Sequence, residues 1–379
     1  MKLLRQDDLA RAKILVRTPN WIGDAVMCLP ALRALRRALP DAELVLVARP
    51  WVLDLFPAQE LRCRMVRYDA RGAHRGVAGR WRIASALRRE KFHAAILLQN
   101  AFDAALLAAL AGIPIRAGYA RHGRRLLLTH PVEAPRRGET PLQEAHYYLE
   151  LLRRLGLIAE YSEVREILLP APVGERDRAR ARLAELWKSG VAESLPERAI
   201  EGRRVVGISP GAAFGTAKRW HAARFAELAR RLSRELGAVA VFFGSQEEAP
   251  LAESLLPEAG EFAVSLAGKT SLADFLSVIP GCDLYITNDT GAMHVAAALG
   301  VPTLAIFGAT DERATRPLGP RVELVVGQAE CRPCLLRRCP MTEHYCMDSV
   351  SVEEVFEAAR SLLERSQPER PARQENYAR

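Results

Sequence analysis

Lys13-Ile14-Leu15-Val16-Arg17-Thr18-Pro19-Asn20-Trp21-Ile22-Gly23-Asp24-Ala25-Val26-Met27 carries the reading that decides the fold. The Ile-Leu-Val run has the apolar, β-branched character of a buried strand, and Thr18-Pro19-Asn20 interrupts it. Gly23 permits a tight turn into a helical pattern that reaches Ala38. Further apolar runs at 43–47, 65–68 and 94–98 alternate with amphipathic or Ala-rich segments such as 31–38 and 82–90. Such alternation predicts βαβ units and a parallel sheet covered by helices on both faces.

A second series opens at Val205-Val206-Gly207-Ile208-Ser209 and continues at 239–243, 262–266, 283–287 and 302–307. The expected fold class is α/β, with two Rossmann-like doubly wound domains facing a cleft. Between the series, Pro170, Pro172 and Pro196 and many charges mark a boundary. The expected division is an N-terminal domain at 1–172, a linker at 173–203 with a helix at 175–188, and a C-terminal domain at 204–350. A helix at 351–366 and a disordered tail at 367–379, which lacks apolar periodicity, complete the chain.

The chain has 379 residues, 49% hydrophobic, 26% charged and 6% aromatic, proportions that exclude a disordered or fibrous protein. No apolar run reaches the ~20 residues of a membrane helix. The start, Met1-Lys2-Leu3-Leu4-Arg5-Gln6-Asp7-Asp8, puts acidic residues where a signal peptide needs an apolar core, so a cytoplasmic location is expected. Seven cysteines are too few and too unevenly spaced for a disulfide framework. The net charge of +9 is divided sharply: residues 1–172 hold 28 basic and 17 acidic side chains, whereas 173–379 hold 26 and 28. The two halves are expected to meet different partners.

Three strand ends carry the candidate chemistry. Asp24, just after the first strand, suits the first turn of a helix, where it is either a simple cap or a carboxylate facing the cleft as a general base. Ser209-Pro210-Gly211-Ala212-Ala213-Phe214-Gly215-Thr216-Ala217-Lys218-Arg219-Trp220 can offer backbone N–H groups, a hydroxyl and an ammonium to a phosphate, although it lacks the Walker A spacing. An ordinary strand-to-helix turn with a solvated Lys218 is the plain alternative. Thr287-Asn288-Asp289-Thr290-Gly291-Ala292-Met293-His294 ends a third strand, and its small residues at a helix N-terminus leave room for a diphosphate. Asp289 there suits sugar hydroxyls or a cap, and His294 a ligand contact or a core position. The Asn288-Asp289-Thr290 sequon is discounted at a cytosolic strand end. Glu248, after a fourth strand, is placed like a ribose-binding acid. Cys331, Cys334, Cys339 and Cys346 follow a C-x2-C-x4-C-x6-C pattern, which suits either a tetrahedral zinc site or a reduced, packed loop.

Pro19-Asn20-Trp21-Ile22-Gly23-Asp24, Pro210-Gly211 with Ala217-Lys218-Arg219-Trp220, Asn288-Asp289-Thr290-Gly291 with Met293-His294, and the cysteine cluster occur in the order and spacing of family 9 glycosyltransferases, which the chain resembles from Lys13 to Leu363. The Trp21-Ile22-Gly23-Asp24 form and the Cys-x-Pro-Cys cluster resemble the type II branch. The resemblance implies the GT-B fold, with the acceptor on the first domain and the nucleotide sugar on the second. It implies metal-independent, inverting transfer of heptose from ADP-heptose to the first heptose of the lipopolysaccharide inner core, at the cytoplasmic face of the inner membrane. Peripheral contact with that membrane, no cofactor, no metal and no nucleic-acid partner complete the expectation. By the same resemblance Asp24 is the general base and Lys218 stabilises the ADP leaving group. Thr216, Glu248, Asp289, Thr290, Gly291 and His294 bind the donor. His221 and Ala309 depart from prolines common in the family, and Thr216 stands at a variable position. The rivals are a type I or type III heptosyltransferase with another acceptor, a nucleotide-sugar epimerase of GT-B-like fold, and a zinc-dependent nucleic-acid-binding protein. The last lacks any recognisable nucleic-acid module.

Overall fold

The structure, a computed structural model, describes residues 3–170, 175–188, 200 and 202–366. Most of the expected linker and the expected disordered tail at 367–379 lie outside the described residues. Among the described residues, twelve strands form two parallel sheets of six. The first comprises β1 (Lys13–Arg17), β2 (Glu43–Ala48), β3 (Cys63–Arg67), β4 (Ala94–Leu97), β5 (Ile115–Tyr119) and β6 (His130–Val132), in the order β3-β2-β1-β4-β5-β6. The second comprises β7 (Arg204–Ser209), β8 (Ala238–Phe242), β9 (Ala263–Ser265), β10 (Leu284–Asn288), β11 (Thr303–Phe307) and β12 (Val322–Val326), in the order β12-β11-β10-β7-β8-β9. Both orders reverse direction at their first strand, so each sheet has a switch point, between β1 and β4 and between β7 and β10, where ligands bind in open α/β sheets. β5, β6 and β12 escaped the sequence reading, because Arg116, Gly118, His130 and Glu323 dilute their apolar pattern.

The centres of β1, β2, β4, β8 and β11 read as unbroken apolar runs because both faces are covered. The helix expected from Gly23 to Ala38 is two helices, α1 (Ile22–Met27) and α2 (Leu29–Ala38), separated at Cys28. Pro30, in the first turn of α2, lacks the N–H that would continue α1. The helix at 175–188 is present as expected, and the last helix (Val352–Arg365) packs its Val355, Phe356, Ala359, Leu362 and Leu363 into the core of the second sheet.

The two halves touch through helix ends. Helix α3 (Gly291–Ala298) contributes Val295 and Ala298 to the hydrophobic core of the first half. A Cβ on Gly291 would lie 2.7 Å from Ile22 Cβ, and one on Gly23 would lie 2.9 Å from His294 Cδ2. Glycine at both positions is what allows α1 and α3 to approach so closely. Backbone bonds from Ile167 to Leu318 (3.1 Å) and from Leu169 to Ala298 (2.7 Å) add to this contact. Among the described residues, no helix is long and apolar enough to cross a membrane.

Candidate active site

Asp24 lies in the first turn of α1, immediately beyond the carboxyl end of β1, and is half-buried. Burial pushes its carboxyl up to about 6, and the Lys218 charge, arriving from the opposite half of the molecule, pulls the other way. A carboxylate so placed is available as a base near neutral pH. Lys218 ends a single 3-10 turn after β7, and its Nζ is 2.6 Å from Asp289 Oδ2. Thr310 Oγ1 donates to the same oxygen at 2.5 Å. Asp289 itself is buried at the end of β10, and among the described residues its Oδ1 accepts no hydrogen bond.

Thr290 is the N-cap of α3 and accepts from the Ala292 N–H at 3.2 Å, while Gly291 begins the helix. The positive end of this helix packs against Ile22 and Gly23 of α1. His294, one turn on, is buried, and its imidazole is pushed down to about 4 by burial, with Lys218 acting the same way and Asp289 opposing. It is therefore a neutral ring packed against Gly23, and Asp24 is the next residue. Glu248 lies past the end of β8, at the N-cap of the following helix (Ala249–Ala259), where Ser245 donates to its Oε2 from both N–H (2.9 Å) and Oγ (3.0 Å). Gly211 makes room for it, since a Cβ there would be 2.0 Å from Glu248 Oε1. Thr216 is exposed on the Lys218 turn and makes no side-chain hydrogen bond among the described residues.

Asp24, Lys218, Asp289, Thr290, Gly291 and His294 thus gather at one junction, with Glu248 linked to it through Gly211. Three further residues belong to the same region. Asn288 is fully buried, accepts from Trp220 N–H (2.9 Å) and donates to the Pro210 and Gly211 carbonyls (2.8 and 3.1 Å), stapling the Lys218 loop to β10. A polar side chain closing an apolar strand was the signal, although its sequon invited dismissal. Thr310 fixes Asp289. Glu144, at the start of a helix (Glu144–Leu155), has its carboxyl pushed up to about 7, mainly by burial and then by the Asp24 charge. Nothing in the local sequence around Glu144 points toward Asp24.

The cysteine segment supports the site by its backbone and arginines. Arg337 C=O accepts from Ala217 N–H at 3.1 Å and Arg337 Nε donates to Phe214 C=O at 2.9 Å, which braces the Lys218 loop. Leu335 N–H donates to Ala309 C=O at 2.9 Å, and Arg332 reaches Thr310 C=O at 3.1 Å and Glu312 Oε2 at 2.9 Å. All four thiols are free, ranging from exposed Cys331 to buried Cys346. Among the described residues no three His, Cys, Asp or Glu side chains are grouped to hold a metal ion.

Facing Rossmann-like halves with a carboxylate and a lysine meeting between them have the architecture of GT-B glycosyltransferases. A family model described as "Glycosyltransferase family 9 (heptosyltransferase)" matches residues 80–345. Lipooligosaccharide heptosyltransferase 2 of Haemophilus influenzae is 31% identical over 318 residues, 82% of this chain and 88% of that protein. Lipopolysaccharide heptosyltransferase 2 of Escherichia coli is 29% identical over 360 residues, 93% of this chain and 98% of that protein. The solved structure of E. coli ADP-heptose lps heptosyltransferase II superimposes with a TM-score of 0.73 at 24% identity, covering 94% of this chain and all of that one. The chain belongs to glycosyltransferase family 9, the heptosyltransferases, and is an enzyme of that class.

Proposed function

We propose that this enzyme transfers L-glycero-D-manno-heptose from ADP-heptose to the first heptose of the lipopolysaccharide inner core, with inversion at the anomeric carbon. The observation that carries the reading is that Asp24 and Lys218, from opposite halves, lie close enough for the Lys218 charge to act on the buried Asp24 carboxyl. In this mechanism the first half, at 1–172, holds the acceptor, and the second, at 204–350, holds the donor. Asp24 takes the proton from the acceptor hydroxyl. The hydroxyl oxygen bonds to the anomeric carbon from the face opposite the diphosphate, and the bond from that carbon to the diphosphate oxygen breaks. Negative charge then grows on the departing ADP, where Lys218 and the N–H groups at Gly291 stabilise it. Asp289, anchored by Thr310, aims Lys218 before the donor arrives. Thr290 and His294 shape the donor pocket, Glu248 meets the ribose, and Thr216 lies within the phosphate loop.

The type 2 name of both relatives supports the choice of acceptor. The Arg-rich first half, with Val77, Trp81 and Leu126 exposed, supports peripheral contact with an anionic membrane surface on the cytoplasmic side. Asp24→Ala is expected to abolish transfer while ADP-heptose affinity, measured by calorimetry, stays within about twofold, since a base acts on chemistry rather than on donor binding. Normal turnover by that variant would refute the assignment of the base.

A further inference from the structure

The carboxyl ends of β1, which leads into the Asp24 helix, and of its neighbour β2 hold guanidinium groups that form no salt bridge among the described residues. Arg17, at the end of β1, is fully buried, and its Nε has no hydrogen-bond partner. Its other nitrogens donate to the Thr18 carbonyl (2.7 Å), the Val47 carbonyl (3.1 Å) and Asn20 Oδ1 (2.7 Å). Arg49, just past β2, stacks over Tyr68 at 4.6 Å and lies 5.9 Å from the Trp51 ring, and its Nε is also buried without a partner. Arg71 approaches the same indole at 5.4 Å and is exposed.

Among the described residues, none of these three arginines forms a salt bridge. Asp103, the carboxylate whose field reaches Arg17, is already bonded to Arg80 (2.7 Å) and the Tyr68 hydroxyl (2.8 Å). Arg17 and Arg49 also repel each other, which together with burial pushes Arg17 down to about 9. Buried charges in native proteins are paired, so a folded chain that holds like charges together unpaired is prepared for an anion from outside.

The remaining geometry suits such a group. Arg17 can only donate, so it turns the Asn20 amide oxygen inward and leaves the Asn20 NH2 facing away from it. Trp51 is held by its own N–H on the Asn20 carbonyl at 2.8 Å and keeps 36% of its surface exposed, a flat apolar face for a sugar ring. We propose that Arg49, Arg71 and the Asn20 amide, grouped about Trp51 with Arg17 beneath, form an oxyanion subsite that grips a carboxylate or phosphate on the acceptor near its reacting hydroxyl. This inference rests on the acceptor assignment above and names the contact that makes the acceptor bind in register with Asp24.

The test is steady-state kinetics of wild type, Arg49→Gln, Arg49→Lys and Arg71→Gln on three one-heptose acceptors: untreated, phosphatase-treated and carboxyl-reduced. Arg49→Gln is expected to raise the acceptor KM at least about tenfold with the ADP-heptose KM unchanged, and Arg49→Lys to recover only part of the loss, because lysine lacks the bidentate fork. Exposed Arg71→Gln, a substitution without core consequences, is expected to show the same direction with a smaller effect. The penalty should vanish on the acceptor that lacks the gripped group, so the phosphatase-treated substrate identifies a phosphate and the carboxyl-reduced one a carboxylate. An equal penalty on all three acceptors, a matching rise in the ADP-heptose KM, or no change in either KM would overturn the subsite. A wild type that transfers no heptose would refute the reaction instead. In that case calorimetric titration with inorganic phosphate and with glucuronate decides the subsite, with binding lost in Arg49→Gln supporting it and no binding by wild type overturning it.

Discussion

In the proposed mechanism the chemistry turns on Asp24 and Lys218, and the Lys218 charge acts on the Asp24 carboxyl. Asp24 works as a base only when ionised, and its carboxyl sits at about 6. The expected profile of kcat against pH therefore rises through about 6 and reaches a plateau above it, since protonation removes the base on the acid side. The sign of the coupling follows from Lys218, whose charge lowers the Asp24 value. Lys218→Ala is expected to lower kcat by about 10²-fold, on the scale of losing one charge-stabilising donor, and to move the acid limb to higher pH. A limb that stays in place, or a change confined to KM, would reduce Lys218 to ground-state binding. In the sequence both positions stand out by the glycine, proline and polar residues at their strand ends, a pattern that ordinary turns share, and their proposed roles come from the family resemblance. Thr310 and Glu144 do not stand out, because their partners lie 21 and 120 positions away in the chain.

Helices α1 and α3 show how much depends on two missing methyl groups. A Cβ on Gly291 would meet Ile22 Cβ and Cγ2 at 2.7 and 2.9 Å, atoms close to the backbone that have little freedom to move. Gly291→Ala is expected to cost about 1–3 kcal/mol of overpacking. It should also lower kcat/KM by on the order of 10²-fold by shifting Asp24 relative to Lys218. Kinetics together with a melting temperature would check both effects, and a variant with wild-type kinetics would show that the contact does not set the catalytic spacing. Most strands that read from sequence are buried on both faces, although edge strand β3 is only partly buried, whereas β5, β6 and β12 carry polar residues and were missed. The single helix expected after β1 failed at Cys28, where the proline that follows begins a new helix. The cysteine segment illustrates a limit of spacing arguments. Its C-x2-C pattern suits either a zinc site or a packed loop, and its contacts to the site run through Arg332, Leu335, Arg337 and His344.

For the molecule as a whole, the division of charge between the halves matches the division of labour proposed for them. A surplus of 11 positive charges lies in residues 1–172, and the remaining 207 residues carry a deficit of 2. The two sheets share the same strand order, so the fold by itself does not say which half takes which substrate. Charge, the arginines without salt bridges at the ends of β1 and β2, and the helix N-terminus at Gly291 break that symmetry. They support the proposal that the first half takes an anionic glycolipid and the second a nucleotide sugar. The measurement that tests this most directly is mass spectrometry after incubating the protein with ADP-heptose and truncated lipopolysaccharides bearing no heptose or one heptose. The one-heptose acceptor should gain the mass of a single heptose and the heptose-free acceptor none. A gain on the heptose-free acceptor, or on neither, would contradict the account.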